Sequence, residues 1–189
     1  MCWSANGSMS TYIFAMILAA IHKYKGVMHP SIWTLMIVYS HMQLIEFFLW
    51  KNLEIPKANR FWSGAGLLLL IIQPMVSATL LPAGLRTKFL MTYITGLSAY
   101  LITHEVNLTT TIGGNGHLKW NWIVPFSSLW GLGWLAFLLV PMWLTGHKGA
   151  AIFGMLSYLA SAYFNDKYGT AGSYWCWFVI LAWVTAFFK

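Results

Sequence analysis

Long apolar runs, separated by short breaks rich in charged residues, glycine or proline, dominate the pattern of this chain. A membrane-spanning helix needs about 20 mostly apolar residues, and seven runs approach that length. They cover residues 9–21, 31–50, 61–81, 85–103, 125–144, 150–164 and 172–188. The first and sixth runs are short, so six spans is the alternative count. The pattern predicts an all-α integral membrane protein, a bundle of seven transmembrane helices forming one domain over residues 1–189.

The longest break between apolar runs, residues 104–124, predicts a different structure. Three consecutive threonines begin at Thr109, a Gly-Gly-Asn-Gly segment begins at Gly113, and a Trp-Asn-Trp segment begins at Trp120. β-branched residues, a glycine and asparagine turn, and aromatic residues together are typical of a β-hairpin. Loops this long in compact chains are usually functional. We therefore expect a long outer loop that contains a small hairpin.

Composition excludes several classes of protein. Hydrophobic residues make up 59% of the 189 residues and charged residues only 8%, whereas a soluble domain has about 25% charged residues. The net charge of +7 is spread thinly, and no run of five to eight basic residues is present. A soluble enzyme and a nucleic-acid-binding protein are therefore excluded. The lipid bilayer is the partner that the composition indicates, and association into homo-oligomers stays open.

The distribution of charges predicts an orientation in the membrane. With seven spans, one side holds Lys23, Lys25, Arg86, Lys88, Lys148 and Lys189 without any acidic residue. The other side holds Lys51, Lys57, Arg60, Lys119 and Lys167 together with Glu54, Glu105 and Asp166. Two Asn-x-Ser/Thr sequons, at Asn6 and Asn107, also fall on this second side. Because cytoplasmic loops carry the excess of lysine and arginine, we expect the N-terminus outside and the C-terminus in the cytoplasm.

Glu46 is the one acidic residue inside an apolar run. Tyr39, Gln43, Glu46 and Trp50 follow the i, i+4, i+7, i+11 spacing, which places them on one face of a helix. In one interpretation this face borders a polar route through the bundle, with Gln73 of the third run as part of its wall. In the other, Glu46 is a hydrogen-bonded side chain that joins helices, with Gln73 as its partner.

Two cysteines, Cys2 and Cys176, are each flanked by tryptophan. The predicted topology places both near the outer surface, within reach of each other. A disulfide, two buried thiols and a shared metal site are all compatible with this placement.

A zinc site is the one cofactor that the outer side of the bundle suggests, although none is firmly implied. Its candidate ligands are acidic and histidine side chains at a similar predicted depth, Glu46, His104, Glu105 and His117. No HExxH or CxxC spacing supports such a site. Retinal is disfavoured because it requires a lysine within the bundle, and the lysine at the last run is the terminal Lys189.

Three short motifs resemble those of an uncharacterised family of small multi-pass membrane proteins with an N-terminal Met-Cys-Trp-Ser motif. They are Met1-Cys2-Trp3-Ser4, Gln43-x-x-Glu46-x-x-x-Trp50 and Trp175-Cys176. The family pattern has a histidine directly before the glutamine, whereas this chain has Met42 there and the histidine at His41. The resemblance implies a multi-pass architecture and no particular activity.

These features favour a small channel or transporter for an ion or small solute, with a polar route formed by Tyr39, Gln43, Glu46 and Gln73. An intramembrane enzyme acting on lipid, with Glu46 as acid or base and a metal held by histidines, is the first alternative. A non-catalytic membrane scaffold is the second. Whether the protein catalyses a reaction therefore stays open at the level of sequence.

Overall fold

The computed structural model describes residues 4–26 and 28–185, apart from the side chains of residues 179, 180 and 185. The described residues form seven α-helices and one two-stranded sheet. The helices are α1 (Ala5–Lys25), α2 (Pro30–Lys51), α3 (Pro56–Ala78), α4 (Ala83–Thr103), α5 (Leu129–Leu144), α6 (Lys148–Asn165) and α7 (Ala171–Thr185). The strands are β1 (Thr110–Ile112) and β2 (Leu118–Trp120), and a single 3-10 turn, Asp166–Tyr168, joins α6 to α7.

Each predicted apolar run coincides with one of these helices, and local capping residues explain where the helices begin and end. The hydroxyl groups of Ser4 and Ser128 accept hydrogen bonds from backbone amides in the first turns of α1 and α5. α2 and α3 begin with Pro30 and Pro56, whose fixed φ suits a first helical position. α1 ends at Lys25 and is capped by Gly26, which adopts a φ of 64°.

Two of the described helices, α2 and α3, are long and apolar enough to cross a membrane. α5 and α7 are apolar but shorter, and the remaining helices are less apolar. The expectation of seven helices is therefore confirmed, whereas the length and hydropathy expected of a membrane span hold for two of them. α1 and α4 are long enough to span but less hydropathic than α2 and α3, in part because they carry several serine and threonine residues among their apolar ones.

α2 lies at the centre of the bundle and packs against α1, α3 and α7. α5 packs between α3 and α6, and α6 packs against α7. α4 is the peripheral helix, because Tyr93 is its one buried residue and α3 is its main neighbour. The buried apolar side chains form one cluster that includes Leu35, Leu138 and Trp183, and a second under the hairpin.

α3 buries a stripe of polar and small residues and exposes apolar ones. The buried residues recur at helical spacing, and they are Asn59, Ser63, Gly66, Gln73, Pro74, Ser77 and Ala78. Large apolar side chains of the same helix, those of Phe61, Leu68 and Met75, are exposed. The polar surface of this helix is thus directed at the other helices.

A proline inside α3 changes how the neighbouring helices attach to it. Pro74 has no N–H, so the carbonyl of Leu70, four residues earlier, loses its helical partner. The indole Nε1 of Trp134 in α5 donates to this carbonyl at 3.0 Å. One residue further along, the carbonyl of Ile71 accepts a hydrogen bond from the Tyr93 hydroxyl at 2.9 Å. The turn of α3 that precedes Pro74 therefore anchors both α4 and α5.

The predicted hairpin is present, with Thr110 opposite Trp120 and Ile112 opposite Leu118 in an antiparallel pair. It is inserted into the end of the bundle, because Thr110, Leu118 and Trp120 are buried. Glycines make room for its aromatic residues. A Cβ on Gly66 of α3 would lie 2.9 Å from the Trp122 ring, and one on Gly172 of α7 would lie 2.5 Å from the Trp120 ring.

Candidate functional site: a cavity inside the bundle

A cavity of about 500 Å³ lies between α2, α5, α6 and α7. Apolar side chains form most of its wall, and among them are Ile32, Leu35, Met36, Met142 and Phe153. Its polar lining is concentrated at two levels. His29 and His147 precede α2 and α6, whereas Tyr39 and Ser157 lie two turns or more inside those helices. The cavity thus extends from one end of the bundle toward its middle.

Two histidines mark the end at which the cavity begins. The ring centroids of His29 and His147 lie 5.7 Å apart, which brings the N-termini of α2 and α6 together. The Nδ1 atom of His29 accepts a hydrogen bond of 3.3 Å from the backbone N–H of Ser31. In the neutral ring the proton is therefore on Nε2, which remains available as a donor. Both histidines occupy N-cap positions, and sequence reasoning did not identify either of them.

A tyrosine, a serine and a tryptophan form the deep part of the cavity. The Ser157 hydroxyl accepts a hydrogen bond of 2.9 Å from Trp175 Nε1 and donates one of 3.1 Å to the carbonyl of Gly154. The ring of Tyr39 meets that of Trp175 edge to face, with 5.7 Å between the centroids. The Tyr39 hydroxyl makes no hydrogen bond to any residue that the structure describes, and it borders the cavity.

The four residues proposed for a polar route are all buried. Tyr39, Gln43 and Glu46 of α2 are 8%, 1% and 0% exposed, and Gln73 of α3 is 1% exposed. Tyr39 lines the cavity, and Gln43 and Glu46 lie one and two turns further along α2. The rise of 1.5 Å per residue places Glu46 about 10 Å beyond Tyr39. Within the described part of the chain, Gln73 makes no hydrogen bond to α2, so its proposed pairing with Glu46 is not seen.

Beyond Glu46, the hairpin closes the bundle. An apolar cluster at this end joins β2 and the residues after it to α2 and α7, and its buried members are Met42, Leu49, Leu118, Trp120, Trp122 and Cys176. Trp50, which follows Glu46 by one turn, packs against the same cluster. The rings of Trp120 and Trp122 are stacked with 4.9 Å between their centroids. The cavity and this cluster therefore lie at opposite ends of the α2 stripe.

Four residues, which we call the hairpin latch, fix β1 to the first turns of α3. Asn59 accepts from the backbone N–H of Thr110 and donates to its carbonyl, each at 2.8 Å. The hydroxyl groups of Ser63 and Thr110 are 2.8 Å apart, and Trp122 Nε1 donates to the Thr110 hydroxyl at 3.1 Å. All four residues are buried. The hairpin latch thus consists of Asn59, Ser63, Thr110 and Trp122.

A second group of hydrogen bonds fixes the other side of the hairpin and the segment before α5. Asn115 Nδ2 lies 3.1 Å from Asn165 Oδ1 and 2.8 Å from the Thr170 hydroxyl. The carboxylate of Asp166 accepts hydrogen bonds from the backbone N–H groups of Phe126 and Ser127, at 3.1 and 2.7 Å. The hairpin is therefore held from both α3 and the junction of α6 with α7.

The candidate zinc ligands are not brought together. His104 stacks on Tyr100 at the end of α4, with 4.8 Å between the ring centroids, and Glu105 beside it is exposed. His117 lies in the hairpin against Tyr174, and burial lowers the pKa of its imidazole. Among the residues that the structure describes, no group of three or more His, Cys, Asp or Glu side chains is arranged to hold a metal ion.

Cys176 is buried in the cluster under the hairpin, whereas Cys2 lies outside the described residues. The predicted pairing of these two cysteines stays a prediction.

His41, next to the polar stripe, is turned toward α1. Its Nδ1 lies 2.8 Å from the carbonyl of Ile37, and its Nε2 lies 3.5 Å from the Tyr12 hydroxyl.

The two ends of the bundle differ in charge. The end at which the cavity begins, here called the basic end, carries the described cations Lys23, Lys25, Arg86, Lys88 and Lys148. No acidic residue of the described chain lies there, because Glu54, Glu105 and Asp166 follow α2, α4 and α6 at the hairpin end. Two contacts join different helices at the basic end. The rings of His29 and His147 lie near each other, and the Nε2 atom of His22 lies 3.0 Å from the carbonyl oxygen of Trp183.

A second cavity, of about 330 Å³, lies between α3, α4 and α5. Its lining is almost wholly apolar, and it includes Leu67, Leu97, Tyr100, Trp130 and Phe137.

Comparison of the chain with models of protein families, with curated proteins and with solved structures finds no match.

Proposed function

We propose that the protein is a small membrane channel or transporter for an ion or small solute, formed by a seven-helix bundle with its N-terminus outside and its C-terminus in the cytoplasm. The route begins at His29 and His147, passes Tyr39, and continues along Gln43 and Glu46 toward the hairpin end. In this arrangement the cavity is open toward the cytoplasm and the hairpin closes the outer side.

The distribution of polar and apolar surface supports a membrane location for the whole bundle. α2 and α3 are long and apolar enough to span. Buried polar side chains such as Gln73 and Ser77 coexist with exposed large apolar ones such as Phe61 and Ile102. In a bilayer the apolar exterior contacts lipid, and polar side chains are directed at protein or at a cavity.

One observation carries the transport proposal: the cavity ends at Tyr39, the first residue of the buried polar stripe of α2. Ionisable residues inside a membrane protein are rare and usually mark ion or substrate pathways. Glu46 lies on the same helix face as Tyr39, two turns beyond the cavity, and is fully buried. A conformational change that opens the hairpin end would connect the cavity with the outer side of the membrane along this stripe.

The test is flux into proteoliposomes, with four probes: protons, potassium, chloride and the organic anion 2-naphthalenesulfonate. We expect the wild-type protein to carry at least one of them faster than protein-free liposomes do. Glu46→Gln removes the ionisable group at nearly constant shape, and we expect it to lower that flux at least about tenfold.

Glu54→Gln is the matched control, because Glu54 is an exposed acid just beyond α2. It should leave the flux at the wild-type level. Wild-type protein that carries none of the four probes, or a Glu46→Gln variant as active as the wild type, contradicts the proposal.

A further inference from the structure

The deep part of the cavity between α2, α5, α6 and α7 contains a hydrogen-bonding group without a partner in the described chain. The Tyr39 side chain lines the cavity and is 8% exposed. Its hydroxyl makes no hydrogen bond to any described residue, and a buried polar group without a partner destabilises a folded protein. A ligand in the cavity can supply the missing hydrogen bond.

The polar side chains beside Tyr39 are already engaged. Trp175 Nε1 donates to the Ser157 hydroxyl at 2.9 Å, and this hydroxyl donates to the carbonyl of Gly154 at 3.1 Å. A serine hydroxyl has a single proton, and the indole has a single N–H. Neither Ser157 nor Trp175 therefore has a donor left, and the Tyr39 hydroxyl is the donor that a ligand at this depth would meet.

The position of Tyr39 sets the depth at which the ligand's polar group lies. α2 and α6 begin side by side at His29 and His147, and the rise of 1.5 Å per residue places Tyr39 and Ser157 about 14 Å further along them. The polar group that reaches Tyr39 is therefore well inside the bundle, and the rest of the ligand extends back toward the two histidines.

The composition of the wall excludes a charged group at this depth. No Asp, Glu, Lys or Arg side chain is among the described residues that line the cavity. A buried charge without a counter-charge is strongly unfavourable. The group that accepts the hydrogen bond from Tyr39 is therefore uncharged, as the oxygen of a carbonyl group is.

The remainder of the wall favours an apolar ligand over water. Between the histidines and Tyr39 the cavity is lined by Ile32, Leu35, Met142 and Phe153. A buried water molecule needs about two to four polar partners, and these side chains offer none. An apolar group, in contrast, gains free energy in proportion to the apolar area that it buries.

We propose that this cavity binds an uncharged, largely apolar molecule whose carbonyl oxygen accepts a hydrogen bond from the Tyr39 hydroxyl. The volume of about 500 Å³ accommodates a molecule of the size of a substituted naphthalene. Such a ligand lies across the proposed route between His29 and Gln43, so it blocks the route when bound. The site goes beyond the proposed transport function and does not depend on it.

The test is equilibrium dialysis of 2-acetylnaphthalene against the full chain in nanodiscs of zwitterionic lipid, with empty nanodiscs as the reference for partition into lipid. The matched hydrocarbon, 2-isopropenylnaphthalene, has nearly the same shape but a CH₂ group in place of the carbonyl oxygen. We expect saturable binding of both. Tyr39→Phe should weaken binding of the ketone about tenfold and leave the hydrocarbon unaffected, because the hydroxyl bonds to the ketone alone.

The hydrocarbon also serves as the control for folding, because its unchanged affinity for the Tyr39→Phe variant shows an intact cavity. Ile32→Trp fills the apolar part of the cavity and should abolish binding of both ligands. Tyr163→Phe removes the hydroxyl of an 82% exposed tyrosine of α6 and should change neither affinity.

Three results overturn the proposal. They are the absence of saturable ketone binding, an equal effect of Tyr39→Phe on the two ligands, and binding that Ile32→Trp does not change. An equal effect on the two ligands would show that the Tyr39 hydroxyl contributes no hydrogen bond to the carbonyl.

This proposal and the proposed transport function can fail separately. Ketone binding that depends on Tyr39, in a protein that carries no probe across liposomes, supports the site and contradicts transport. Flux that depends on Glu46, in a protein that does not bind the ketone, supports transport and contradicts the site. Where both hold, a saturating concentration of the ketone should inhibit the flux of the wild-type protein, and it should inhibit the Tyr39→Phe variant only at about tenfold higher concentration.

Discussion

At the scale of single residues, hydrogen bonds to the backbone decide how the helices of this bundle attach. Pro74 leaves the Leu70 carbonyl without its helical donor, and Trp134 of a neighbouring helix supplies one. The sequence predicts that Pro74 disturbs α3, but the partner lies 64 residues from Leu70 and no local pattern identifies it. The helical spacing of Gln43 and Glu46 within an apolar run was enough to predict that both side chains are buried. The contact between His29 and His147 could not be predicted in this way, because the two residues precede different helices.

Trp134→Phe removes the indole donor and leaves the half-buried Leu70 carbonyl without a partner. We expect a loss of about 1–3 kcal/mol in the free energy of unfolding. Pro74→Ala, added to that variant, restores a backbone N–H four residues after Leu70 and should recover part of the loss. The measurement is denaturant unfolding in detergent.

Trp143→Phe is the control for this pair, because Trp143 lies in the same helix and is 48% exposed. It should change stability little. The explanation is wrong if Trp134→Phe and Trp143→Phe have equal effects, or if Pro74→Ala brings no recovery.

At the scale of elements, the hairpin shows what local sequence predicts and what it leaves out. Threonines, the glycine and asparagine turn and the tryptophans predict two strands, and these are present at Thr110–Ile112 and Leu118–Trp120. The pattern predicts a hairpin in an outer loop but not that this hairpin is inserted into the end of the bundle. The position of the hairpin in the bundle depends on Asn59, Gly66 and Gly172, which are distant from it in sequence and belong to no hairpin pattern.

Thr110→Val tests the hairpin latch, because it removes the hydroxyl that meets both Ser63 and Trp122 while keeping the shape of the side chain. Two buried polar groups then lose a partner. We expect destabilisation of about 1–3 kcal/mol, measured as a lower midpoint of thermal unfolding, and faster amide hydrogen exchange in residues 110–120.

Thr111→Val alters the neighbouring exposed threonine and should have little effect on either measurement. Equal exchange rates in the two variants would show that the hairpin latch does not hold the hairpin in place.

At the scale of the whole molecule, the seven apolar runs predict the seven helices, and the charges predict the two different ends. Length and hydropathy alone support spanning for α2 and α3. For the shorter α5 and for α6, the argument for spanning depends on their packing, α5 beside α3 and α6 beside α7, which the pattern along the chain does not contain. The cavity also belongs to this scale, because four separate helices form its wall.

Orientation can be tested by labelling introduced cysteines in intact cells, in a background with Cys2→Ser and Cys176→Ser. We expect Lys57→Cys, at the start of α3, to react with a membrane-impermeant maleimide added outside. Lys148→Cys, at the start of α6, should react only after permeabilisation. Labelling of both positions from the same side contradicts the proposed topology, and the reverse pattern inverts it.

The double attachment of the hairpin has a consequence for the order in which the protein is made. Its partner Asn59 is synthesised before the strands, whereas Asn165, Thr170 and Gly172 emerge from the ribosome about 50 residues after them. The strands can contact α3 early, but the surface of α6 and α7 that the hairpin contacts exists only after those helices have been synthesised. Closure of the hairpin end is thus a late event in biogenesis, and a nascent chain arrested before residue 165 would retain an unsealed bundle.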